Sequence, residues 1–126
     1  INLLGADGGR QDQFLSSLEI LFKYSFQASL ILWSPLERME FILDSWKGNL
    51  PAGATLSLLP LFGGAQGVVT KGLEFELNNR ALLPGKIPSG VSNRVLTNPV
   101  SVTIQKGQLL LIVQHTENLS TIPDSN

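Results

Sequence analysis

Val100-Ser101-Val102-Thr103-Ile104-Gln105-Lys106-Gly107-Gln108-Leu109-Leu110-Leu111-Ile112-Val113-Gln114 is the stretch that decides how this chain folds. Its first half alternates. Val100, Val102 and Ile104 are apolar, whereas Ser101, Thr103 and Gln105 are polar. A period of two puts the apolar set on one face of a strand. Lys106-Gly107 reads as a tight turn, and the two halves as a hairpin. The second half differs. Leu109 to Val113 is apolar without a break, which predicts a central strand covered on both faces.

Similar segments extend toward the N-terminus. Ser29–Trp33 and Met39–Leu43 are short apolar runs separated by Pro35. Leu50-Pro51-Ala52-Gly53 marks a turn, Thr55–Leu61 a strand, and Gly63-Gly64-Ala65-Gln66-Gly67 a loop. Val68–Leu77 ends in alternation: Leu73, Phe75 and Leu77 are expected on one face, Glu74 and Glu76 on the other. Pro84 to Gly90 is a long turn segment. Seven or eight short strands at such spacing predict a mainly β fold, an antiparallel β-sandwich. One amphipathic α-helix precedes it, over about Gln11 to Phe26. Phe14, Leu15, Leu18, Leu21 and Phe22 are expected on its apolar face, with Glu19 and Lys23 as an ion pair.

Composition narrows the function. The chain has 126 residues, 43% hydrophobic and 15% charged, with a net charge of −1. Such a chain suits one modest core and has no basic stripe for nucleic acid or an anionic membrane. No apolar run reaches the roughly 18 residues of a membrane span. With no cysteine and one histidine, His115, disulfides, zinc, iron–sulfur and haem sites are not expected. Ile1-Asn2-Leu3-Leu4 reads as the end of a buried strand, so the chain is expected to be a piece of a longer protein. The expected organisation is residues 1–27 as the last strand and helix of a truncated α/β nucleotide-binding domain, 28–115 as the sandwich, and 116–126 as a loose polar tail.

Gly8-Gly9-Arg10-Gln11-Asp12-Gln13 opens the helix. Glycines at a helix entrance let backbone N–H groups converge on an anion. Arginine can fork two hydrogen bonds to phosphate, and aspartate can hold magnesium. The same residues also read as ordinary: Asp12 complementing the helix dipole, Arg10 pairing with a nearby carboxylate.

The order of motifs resembles a known family. A GGR-x-D motif opens an apolar helix. A strand like Leu56–Leu61 follows, then Gly72-Leu73-Glu74-Phe75, a glycine turn at Gly85, and Gly90-Val91-Ser92-Asn93. This is similar to the thiamin pyrophosphokinases, over roughly Ile1 to Gln114. The resemblance implies transfer of pyrophosphate from ATP to the hydroxyl of thiamin, giving thiamin diphosphate and AMP. It implies ATP as co-substrate with Mg2+, a homodimer formed through the sandwich, and a cytoplasmic protein. This chain would supply thiamin-binding and dimer contacts, and would be inactive without an N-terminal ATP-binding domain.

Site residues follow position by position. The resemblance implies catalytic roles for Arg10 and Asp12, with Asp12 also the metal ligand. It implies thiamin contacts from Gln13, Phe75, Ser92 and Asn93. Phe75 stands where tryptophan or tyrosine is common, and its ring suits a cationic thiazolium. Ser92 and Asn93 carry donors and acceptors that suit an aminopyrimidine. Read without the family, Phe75 falls on a core face and Ser92-Asn93 is a turn. Ser17 departs from the asparagine of many bacterial members. Two other classes fit a sandwich: a small-molecule or carbohydrate module, requiring Trp33 and Trp46 exposed side by side, and a non-catalytic dimerisation domain.

Overall fold

The computed structural model describes the backbone of Asn2–Leu4 and residues 11–86 and 92–114 in full. It is a β-sandwich with one helix laid on an outer face. Strand β1 (Asn2–Leu4) leads to helix α1 (Gln11–Ser25). Strands β2 (Ile31–Trp33), β3 (Glu37–Ile42), β4 (Ser45–Gly48), β5 (Thr55–Leu59) and β6 (Ala65–Lys71) follow. Then come β7 (Arg80–Leu82), β8 (Asn93–Arg94), β9 (Val100–Thr103), β10 (Lys106–Gly107) and β11 (Leu109–Gln114). One sheet has the order β1-β2-β3-β11-β5-β8, the other β10-β6-β9-β4 with β7 also on β6. All pairings are antiparallel except β1 with β2, which are parallel and joined through α1.

β11 lies between β3 and β5, at the centre of the helix-covered sheet. Its unbroken apolar run serves two cores. Leu109, Leu111 and Val113 enter the inter-sheet core with Leu56, Leu58, Val68, Val100 and Val102. Leu110 packs outward with Leu18, Leu21, Leu32 and Met39, flanked by Ile112 and Phe41. The expectation of a strand covered on both faces is met.

The expected hairpin is not formed. β9 pairs with β4 and β6, while β11 pairs with β3 and β5, so the two halves of the quoted stretch lie in opposite sheets. Lys106-Gly107 is a crossing segment that pairs briefly with β6. The reason is coverage. A hairpin partner beside β9 would have only the inter-sheet face buried, yet Leu110 also needs cover. The crossing is tight: Gly107 has φ 98°, and a Cβ there would collide with the Gly64 carbonyl oxygen.

α1 matches its expected span, and Asp12 and Lys23 complement its dipole at opposite ends. Its buried face is narrower than expected. Leu18 and Leu21 are buried and Phe14 and Phe22 half-buried, but Leu15 is 58% exposed. Phe22 stacks on Phe62 at 4.4 Å between ring centroids and meets Phe41 edge-on at 5.2 Å. These rings seal the rim between helix and sheet.

Truncating Leu111, which is fully buried, should cost about 2–5 kcal/mol as Leu111→Ala. Leu15→Ala should change stability by no more than about 0.5 kcal/mol. Urea unfolding of both variants followed by circular dichroism checks the contrast.

Candidate functional site

The strand expected over Val68–Leu77 stops at Lys71. Gly72 has φ 89°, a left-handed conformation that turns the chain. A Cβ at Gly72 would lie 2.5 Å from the Thr97 carbonyl oxygen, so the turn also needs the missing side chain. The alternation is lost with the strand. Leu73 and Leu77 are buried, but Phe75 is 64% exposed. The expectation that Phe75 shares their face is thereby corrected: it stands out from the surface on a loop.

That loop is bound along its length. Its neck is closed by the Thr70 N–H donating to the Leu77 carbonyl (2.9 Å) and the Leu77 N–H donating to Thr70 Oγ1 (2.8 Å). Leu73 bridges to Val95, and the Glu74 N–H donates to the Arg94 carbonyl at 2.8 Å. The Leu96 N–H donates to the Gly72 carbonyl at 2.8 Å.

Asn93 makes the central attachment. Its Oδ1 accepts from the Phe75 N–H at 3.0 Å and its Nδ2 donates to the Phe75 carbonyl at 2.7 Å. Oδ1 also accepts from the Arg94 N–H at 2.9 Å. The side chain therefore imitates a strand partner for Phe75 and is itself only 4% exposed. It holds the backbone beneath an exposed ring.

Ser92 is exposed beside it, at φ 56°, and its N–H donates to Ser57 Oγ at 2.9 Å. Ser92, Asn93 and Phe75 thus form one cluster at the β8 edge of the helix-covered sheet. Asp12 and Gln13 are exposed in the first turn of α1, a different element of the fold. Arg10 and His115 lie outside the described residues. Among the described residues no group of three or more His, Asp or Glu side chains is placed to hold a metal. None of the described residues among those expected lines the cavity of ≈ 250 Å³ beside Phe62, Gly64, Leu83 and Lys106.

The tryptophans are elsewhere. Trp33 is buried and Trp46 half-buried against the inter-sheet core. Glu40 Oε1 accepts from Trp46 Nε1 (2.9 Å) and Arg38 Nη2 (2.8 Å), and the Arg38 guanidinium sits 5.6 Å from the Trp33 ring centroid. This arrangement ties β3 to β4 across the sandwich. The exposed tryptophan pair required of a carbohydrate module is not formed.

The family model for the thiamin pyrophosphokinase vitamin B1-binding domain matches residues 44–109. The chain belongs to this family. The match contains the Phe75 loop, Ser92 and Asn93. No curated protein matches the sequence. Solved thiamin pyrophosphokinases share the fold. That of Bacillus subtilis superposes with TM-score 0.85 at 20% identity, covering 93% of this chain and 56% of that one. The Geobacillus thermodenitrificans protein gives 0.80 at 21% identity, covering 93% and 54%. The yeast enzyme gives 0.76 at 22% identity, covering 97% and 42%. The thiamin pyrophosphokinase domain described here spans about half the length of these relatives.

Several structural residues of this domain escaped the sequence reading. Thr70, Ser57 and Glu76 act through backbone partners that no local pattern reveals. Asn98 repeats the Asn93 device, accepting from the Leu50 N–H (3.0 Å) and donating to the Leu50 carbonyl (2.9 Å). Asn93→Ala leaves the Phe75 and Arg94 N–H groups without their acceptor and should cost about 1–3 kcal/mol. Urea denaturation of that variant against the parent chain measures it.

Proposed function

We propose that this chain is the thiamin-binding part of a thiamin pyrophosphokinase, with Phe75 as the platform for the vitamin. One observation carries the reading: a large aromatic ring, 64% exposed, stands on a backbone fixed by two hydrogen bonds with a buried asparagine, one accepted and one donated by its amide. An exposed ring on a fixed backbone is suited to stack on a flat ligand. The thiazolium of thiamin is cationic, which favours the face of an aromatic ring. Ser92, exposed next to Asn93, suits a polar contact to the aminopyrimidine. Asn93, buried beneath Phe75, serves by fixing the backbone that carries the ring.

In the complete reaction ATP, with its magnesium, would give pyrophosphate to the thiamin hydroxyl. The requirement is positioning and charge neutralisation rather than covalent help from the protein. Arg10 and Asp12 belong in this reading to the phosphate end of the site, and Gln13, in the first turn of α1 with Asp12, to a thiamin contact. The sandwich would also self-associate as a homodimer in the cytoplasm, with Phe75 near the contact.

Thiamin titrated into the chain and followed by NMR shifts tests the platform, since shifts register even millimolar affinity. Phe75→Ala should weaken binding about tenfold, and Phe75→Trp should strengthen it, because tryptophan is the better cation platform. Shifts that ignore the Phe75 loop overturn the assignment. Light scattering at high concentration should show a dimer, and a monomer at all concentrations removes the self-association.

A further inference from the structure

We propose that Glu76 is a positioning residue for thiamin, acting through the Phe75 loop rather than by touching the vitamin. The inference rests on the thiamin reading of Phe75. Glu76 Oε2 accepts a hydrogen bond from the Gly72 N–H at 2.9 Å, across the base of the turn that carries Phe75. The Gly72 carbonyl, on the other side of the same residue, accepts from the Leu96 N–H at 2.8 Å and the Thr97 N–H at 3.2 Å. The sandwich therefore holds one side of Gly72, and the loop's own carboxylate holds the other.

The reason this bond matters is the exposure of the ring it serves. Phe75 is 64% exposed, so the backbone beneath it has a large part in setting the ring's direction. Every other attachment of the loop belongs to a buried group or to strand-like pairing: Thr70 and Asn93 are buried, and Leu73 is in the core. Glu76 is itself exposed and enters no core. Its carboxylate gives up part of its hydration to accept a backbone N–H, a charge-assisted bond stronger than a neutral one. Holding Phe75 in its binding position before thiamin arrives removes an ordering cost from association.

A carboxylate one residue from an aromatic platform could instead attract the thiazolium by its charge. Glu76→Gln separates the two roles, since glutamine keeps an acceptor oxygen and loses the charge. In the thiamin titration, Glu76→Ala should weaken binding about tenfold, and Glu76→Gln should restore most of it. Combined with Phe75→Ala, Glu76→Ala should add no further loss. Hydrogen exchange of the Gly72 amide should accelerate in Glu76→Ala, while β11 amides keep their protection.

A Glu76→Gln variant as weak as Glu76→Ala overturns the proposal in favour of direct charge attraction. Additive losses with Phe75→Ala, or unchanged Gly72 exchange, overturn it as well. Phe75→Ala with undiminished thiamin binding is a different failure. It sinks the thiamin reading itself, and this role with it, whatever Glu76 does to the loop.

Discussion

The structure depends on one strand having to be dry on both faces. β11 offers Leu109, Leu111 and Val113 to one side and Leu110 and Ile112 to the other. Nothing less than two layers can bury both sets. The second sheet covers one face, and α1 covers the other. The position of the helix therefore follows from a demand made near the other end of the chain. The crossing at Lys106-Gly107 follows too, because the segment that enters from β9 has to change sheets to reach the centre.

Away from that strand, order is carried by side chains that stand in for backbone. Asn93 pairs with Phe75 and Asn98 with Leu50, each through a donor and an acceptor on the same carboxamide. A carboxamide has the same hydrogen-bonding groups as a peptide unit, so it can extend a sheet where no strand is available. Both clamps join segments distant in sequence and fix irregular chain against the sandwich edge. Asn93, the buried one of the two, is tolerable because its bonds are made.

Exposure divides the roles of neighbouring residues in the Phe75 loop. Leu73 and Leu77 anchor it in the core, and Phe75 between them faces outward. A regular strand would have turned all three the same way. The bends at Glu74 and Phe75 break that parity, and the aromatic ring stands at the surface rather than in the core.

The sequence alone determined the elements whose pattern is local. The helix over Gln11–Ser25, the two-faced burial of Leu109 to Val113 and the alternation of Val100–Ile104 were readable because periodicity reports which faces are apolar. The order of motifs also carried the family. Tertiary structure alone decided the partners: which sheet each strand enters, that Leu15 faces outward, and that Phe75 is exposed. It also decided that Asn93 grips the Phe75 backbone and Glu76 the Gly72 amide. Those outcomes depend on contacts between residues far apart in the chain or on a single backbone reversal, and neither leaves a periodic trace.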